Sequence, residues 1–280
     1  MPTAKTASED PAQSRLMADI DYAGRQIVGD RAGQEDTYGV VPPEELGSTS
    51  GRDLLAILAD GMGGHVAGEV ASSLAVDCFA QTFLDSPMTD DAQRLWQALE
   101  AANNRIGEKI EASGGRLDGM GSTLVAFVLR GRSLRWISVG DSPLYLVSGG
   151  EIRRLNRLHS LVGDIAEKVR QGRLTPQEGE NAISKVNKNT LTAALIGGTL
   201  YSVDDPEAIE VRPGDVVLAT SDGVDTVEPA ELAEIVSAGG ARSAAAIAED
   251  ILDAVKAKNR PAQDNATVVV ARVPPESAKP

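Results

Sequence analysis

Four apolar runs in this chain meet an aspartate at one end. The run over residues 54–59 leads into Asp60-Gly61-Met62-Gly63-Gly64, and the run over residues 216–221 leads into Asp222-Gly223. Trp136-Ile137-Ser138-Val139 leads into Gly140-Asp141-Ser142, and Asp264-Asn265 opens the run through Val268-Val269-Val270. Short runs rich in Val, Leu and Ile, bounded by Gly or Asp, are strand signals. If the four ends converge, four carboxylates meet in one place. Like charges that close are costly unless cations neutralise them. Two divalent ions bridged by a shared carboxylate are one solution. Gly61, Gly63 and Gly64 let backbone approach a ligand closely, so that a main-chain carbonyl could coordinate it. A single Asp-Gly after a strand is ordinarily a turn. Spacing alone leaves the turn and the metal site both open.

The other elements indicate how such ends could be gathered. Further strand-like runs cover residues 37–41, 123–129, 134–139 and 266–273, and residues 143–155 read as a hairpin turning on Gly149-Gly150. Val66, Val70, Leu74, Phe79 and Phe83 form one helical stripe, and Trp96, Leu99 and Ile106 form a second, whose start is signalled by Thr89-Asp90-Asp91. Helical patterns return over residues 230–236 and 244–257. Strands dominate the ends and middle while helices come in pairs. This predicts an α+β fold with a sheet-on-sheet core and helices outside, not an alternating βαβ chain. The 280 residues are long enough for one large domain with a substantial core. Aromatics are only 3%, so that core is expected to be Val, Leu, Ile and Ala. Residues 1–16, rich in Ala, Ser, Thr, Pro and charge, read as disordered, and residues 273–280 as a tail of the same kind.

Charge narrows the function. Lys and Arg total 27 against 41 Asp and Glu, a net −14 that repels nucleic acid and anionic membrane surfaces. The surplus suits either solubility or hard cations that take oxygen ligands. One cysteine, Cys78, excludes an internal disulfide and reads as a buried, inert thiol. Residues 1–15 carry no leader-like apolar core, and no run approaches the roughly 18 apolar residues that span a bilayer. The chain therefore reads as cytoplasmic, and a monomer is expected.

The motifs also fall in the order of a known family. Arg31-Ala32-Gly33-Gln34-Glu35-Asp36, Asp60-Gly61-Met62-Gly63-Gly64-His65, Gly68-Glu69-Val70-Ala71-Ser72, Gly119-Met120-Gly121-Ser122-Thr123 and Val139-Gly140-Asp141-Ser142 occur in sequence. Ser221-Asp222-Gly223 and Asp264-Asn265-Ala266-Thr267 follow. Over residues 20–272 the chain resembles the bacterial branch of the protein phosphatase 2C family. The resemblance implies a four-layer αββα sandwich of two antiparallel sheets flanked by helix pairs. The catalytic domain would cover residues 17–272, with a flap near 157–190. It also implies two Mn²⁺ or Mg²⁺ ions with a weaker third, and hydrolysis of phosphoserine or phosphothreonine on proteins by a water bridging the two ions.

In that scheme Asp60 bridges the ions, the Gly61 carbonyl binds one, and Asp222 and Asp264 hold the other. Glu35 and Asp36 act largely through bound waters, Asp141 with Asp222 holds the third ion, and Arg31 clamps the phosphate. The implied partner is a phosphoprotein, a Ser/Thr kinase or its targets. Met62 stands where eukaryotic relatives carry a general-acid histidine; His65 reads as structural, and His159, in the flap segment, is not expected to be a ligand. Leu158, Ala193 and Thr226 depart from the family pattern near the flap and rim. The alternative function is a weak or inactive phosphatase-fold regulator that binds a phosphoprotein.

Overall fold

The computed structural model describes residues 19–187, 189–238 and 242–274, without the His65 side chain. The two segments read as disordered lie outside those residues, except Val273 and Pro274. Val273 is 3% exposed and belongs to the core, and its N–H donates to the Asp215 carbonyl.

Two antiparallel sheets form the middle layers. The first has the order β1 (Asp21–Ile27), β11 (Ala266–Arg272), β10 (Val216–Thr220), β7 (Leu144–Ser148) and β8 (Glu151–Arg154). The second runs β2 (Asp36–Val41), β3 (Leu54–Met62), β5 (Leu124–Arg130), β6 (Ser133–Val139) and β9 (Ile209–Glu210), and the short β4 (Gly121–Ser122) pairs with β3. Period-two alternation sorts each strand into two layers. Leu54, Ala56 and Leu58 point between the sheets with Phe127, Trp136, Val217 and Val269. Leu55, Ile57 and Ala59 point outward beneath α1 (His65–Asp85) and α2 (Asp91–Ala112). Over the other sheet, α5 (Pro229–Ser237) and α6 (Ala244–Ala257) cover Leu218, Val268 and Val270. The αββα sandwich expected from the sequence is the fold observed.

The face of α1 is a correction. Val66, expected to open the buried stripe, is 70% exposed, and Val70 and Leu74 are only half-buried. The helix lies on the sheet along Ala67, Ala71 and Ala75, and Phe79 and Phe83 are fully buried at its far end. Alanines let the helix axis approach the sheet closely. The two phenylalanines then supply the anchoring, roughly 1.5–3 kcal/mol each by area. Cys78 is half-buried, not buried as expected, with Sγ near Thr82 Oγ1.

The region expected to form a flap holds two short helices, α3 (Leu161–Arg170) and α4 (Pro176–Ile183), packed on each other. Ser160 caps the first, and a Thr175–Glu178 capping box starts the second. No helix among the described residues is long and apolar enough to cross a membrane.

Candidate metal centre

The strand ends do converge. Asp36, at the start of β2, lies directly opposite Asp60 near the end of β3. Asp222 opens a 3₁₀ turn, Asp222–Thr226, just past β10, and Asp264 immediately precedes β11. Asp141 follows β6 by way of Gly140, whose φ of 101° turns the chain at once. An open cleft of about 610 Å³ is lined by Arg31, Glu35, Asp60, Asp141, Asp222 and Asp264, with Gly61 in its wall. Both sheets therefore contribute to one site at their common rim.

Asp60 is fixed through its backbone. Its N–H donates to Thr123 Oγ1 at 3.0 Å, and its carbonyl accepts from Ser122 Oγ at 2.9 Å and from the Thr123 N–H at 2.8 Å. Burial holds its carboxyl well above the usual carboxylate range, and the charges of Asp36, Asp222, Asp264 and Asp141 push it further. Asp222 is pushed up to about 7 by burial and by Asp141 and Asp264. Burial also raises Asp141.

Asp36, which the resemblance has acting largely through bound waters, is not among the residues that line the cleft. It is 4% exposed behind Asp60, and its Oδ2 accepts from Ser221 Oγ and Thr267 Oγ1, each at 2.7 Å. Burial lifts it to about 6 even though both hydroxyls pull the other way. Asp264 is turned to an ion pair with Arg31 at the mouth.

The donor chemistry fits hard divalent cations. The acidic groups offer oxygen only, and their mutual repulsion is what a cation relieves. Gly61 fits as well. A Cβ there would fall 2.0 Å from the Gly68 carbonyl oxygen, so only glycine lets these backbones close over the site. Among the described residues, however, no three acidic, His or Cys side chains surround a single point. Asp36 and Asp264 are instead turned to the hydroxyls and the guanidinium just named.

The loop carrying Arg31 and Glu35 is held by Asn265, for which the sequence suggested no role. Asn265 Nδ2 donates to the Val28 and Gly33 carbonyls at 2.7 and 3.0 Å, and Oδ1 accepts from the Glu35 N–H at 2.7 Å. A buried asparagine flanking an apolar strand is itself a signal, because its amide must find partners. Asn265→Ala is expected to speed amide exchange at Glu35 by about tenfold or more while β10 keeps its protection. The loss of one such bond, about 1–3 kcal/mol, sets that scale. Unchanged exchange at Glu35 would mean that the loop is held by other contacts.

His159 is held inside the fold. It is 1% exposed, its Nδ1 accepts from the Gly140 N–H, and burial lowers its pKa so that it stays neutral. Its carbonyl accepts from the Thr192 N–H, joining the end of β6 to the chain that leaves the flap. Ala193 lies in the cleft wall.

Fold and cleft together define a four-layer, two-sheet protein with a carboxylate centre on the rim between its sheets. The chain belongs to the protein phosphatase 2C family, whose sequence profile matches residues 34–255. It is 35% identical over 262 residues to the serine/threonine protein phosphatase PstP of Mycobacterium tuberculosis, covering 93% of this chain but 46% of that protein. It is thus similar to slightly less than half the length of that relative. The protein phosphatase PhpP of Streptococcus pneumoniae is 33% identical over 192 residues, 67% of this chain and 74% of its own length. A crystal structure of the PstP catalytic domain in complex with two manganese ions superposes with a TM-score of 0.71 at 32% identity, covering 90% of this chain and 97% of that one.

Proposed function

We propose that this chain is a metal-dependent protein phosphatase that hydrolyses phosphoserine and phosphothreonine on proteins, using two Mn²⁺ or Mg²⁺ ions and a weaker third. One observation carries the reading: five carboxylates from both sheets face one open cleft with a guanidinium at its mouth. The PstP domain that holds two manganese ions supports it.

When bound, the ions supply an activated water near neutral pH and positive charge against the phosphate oxygens. Asp60, Asp222 and Asp264, with the Gly61 carbonyl and with Glu35 and Asp36 through water, would hold the pair. Asp141 with Asp222 would hold the third. Arg31, whose side chain is 47% exposed, would bind the phosphate with its planar fork of donors. Ser122 and Thr123 keep Asp60 in place, and Asn265 keeps Arg31 and Glu35 in place. Direct attack by water needs no phosphoenzyme, and Cys78, on α1 away from the cleft lining, takes no part. The catalytic domain covers residues 17–272 with its flap over 157–190. It works as a cytoplasmic monomer on a Ser/Thr kinase or that kinase's targets.

The test is p-nitrophenyl phosphate hydrolysis with Mn²⁺ and with EDTA. Turnover is expected only with Mn²⁺. Equal turnover in EDTA overturns the reading. No turnover while calorimetry shows Mn²⁺ binding replaces it with the phosphoprotein-binding regulator.

A further inference from the structure

A second hollow, of about 560 Å³, opens beside the carboxylate cleft, and the two share the Gly63-Gly64 backbone. Val66 and Val70 of α1 and Leu117, just past α2, give it an apolar lining. Lys109 and Arg116 stand on its rim. Val66 is among the few large apolar side chains left this open. Arg116 Nε donates to the Ser113 carbonyl at 2.9 Å. Neither Lys109 nor Arg116 is ion-paired with a carboxylate of the described residues. The hollow is thus an apolar pocket with two uncompensated cations on a chain of net charge −14.

A small phosphomonoester seated among the carboxylates ends before this pocket, whereas a phosphorylated polypeptide does not. An extended chain advances about 3.3 Å per residue, so the neighbours of the phosphoresidue pass over Gly63-Gly64, where no side chain obstructs them. We infer that the hollow is a substrate subsite. It takes an apolar side chain close in sequence to the phosphoresidue, and acidic residues beside that side chain meet Lys109 and Arg116. The inference rests on the phosphatase reading of the adjoining cleft.

Local and global charge make opposite predictions here. The net −14 favours basic peptides, and the two rim cations favour acidic ones. At physiological salt the screening length is about 8 Å, so distant carboxylates fade while adjacent cations are still felt.

Two synthetic phosphothreonine nonapeptides test the subsite. One carries Leu on both sides of the phosphothreonine and Glu beyond; the other carries Ala and Lys at those positions. The wild type is expected to favour the Leu/Glu peptide by about tenfold to a hundredfold in kcat/KM. Lys109→Glu with Arg116→Glu is expected to reverse that order, and Val66→Asp to remove the gain from Leu. Neither variant should change p-nitrophenyl phosphate turnover. Preference for the Lys peptide, no preference, or equal losses on peptide and p-nitrophenyl phosphate would overturn the inference. Fluorescence anisotropy of the same peptides, labelled, needs no turnover. Discrimination there without any hydrolysis would sink the phosphatase reading and leave the subsite standing. Equal affinities would remove the subsite even if hydrolysis is robust.

Discussion

Asp60→Asn is expected to lower Mn²⁺-dependent p-nitrophenyl phosphate turnover by roughly 10³-fold or more while the protein stays folded. Losing the central carboxylate forfeits several kcal/mol of metal and charge stabilisation, at 1.36 kcal/mol per tenfold. The fold survives because Asp60 is tied down by its backbone, through Ser122 and Thr123, and asparagine keeps the same shape. The metal-free variant should also melt higher than the wild type, because one of several mutually repelling carboxylates has gone. Asp77→Asn, on the exposed side of α1, is the matched control and should change neither quantity. A variant keeping more than about a tenth of its turnover would place the chemistry elsewhere in the cleft.

The metal-free protein should lose stability as pH rises from about 5 to 8, the reverse of ordinary acid denaturation. The carboxylate of Asp222 titrates near 7 in the folded state against about 4 in an unfolded chain. Between those values the folded state holds the proton that the unfolded state has released. A folded state that binds more protons is weakened by raising pH, and the loss levels off above about 7. Asp60 and Asp36 shift in the same direction and add to the effect. Each pKa unit is worth about 1.4 kcal/mol, so the cluster amounts to a few kcal/mol, or about 5–10 °C in melting temperature for a domain of this size. Scanning calorimetry in EDTA at pH 5.5 and 7.5 measures it. Mn²⁺ should restore the pH 7.5 value, and Asp222→Asn should flatten the dependence. A metal-free melting temperature that climbs over this range would mean that the carboxylates are not strained.

Much of the site could be read from the sequence because it sits where periodicity is clearest. β10 and α6 match the segments expected, 216–220 and 244–257, and every cleft aspartate lies at the end of an apolar run. What was missed has physical causes. The buried face of α1 is mostly alanine, whose small apolar area gives a weaker signal than Val66, so periodicity places the stripe one residue off. β1 was hidden because Gly24 interrupts it. That glycine makes room for the Tyr38 ring, which a Cβ there would meet at 2.1 Å. The flap helices are short, at 10 and 8 residues, and their caps are the clearest sign of them. Asp36 is contiguous with Glu35 in its motif, but strand alternation sends neighbouring side chains opposite ways, and only Glu35 lines the cleft.

β11 is the last strand among the described residues, yet it lies between β1 and β10 inside its sheet. Asp21 pairs with Arg272, so the first and last strands of the fold are direct neighbours. On the ribosome, β1 and β10 must wait for β11 before their sheet can close, and such non-local pairing is slow to form. β11 also brings Asp264 and Asn265, which complete the acidic cluster and hold the Arg31 loop. The acidic cluster of a nascent chain therefore stays incomplete until this strand has emerged and docked.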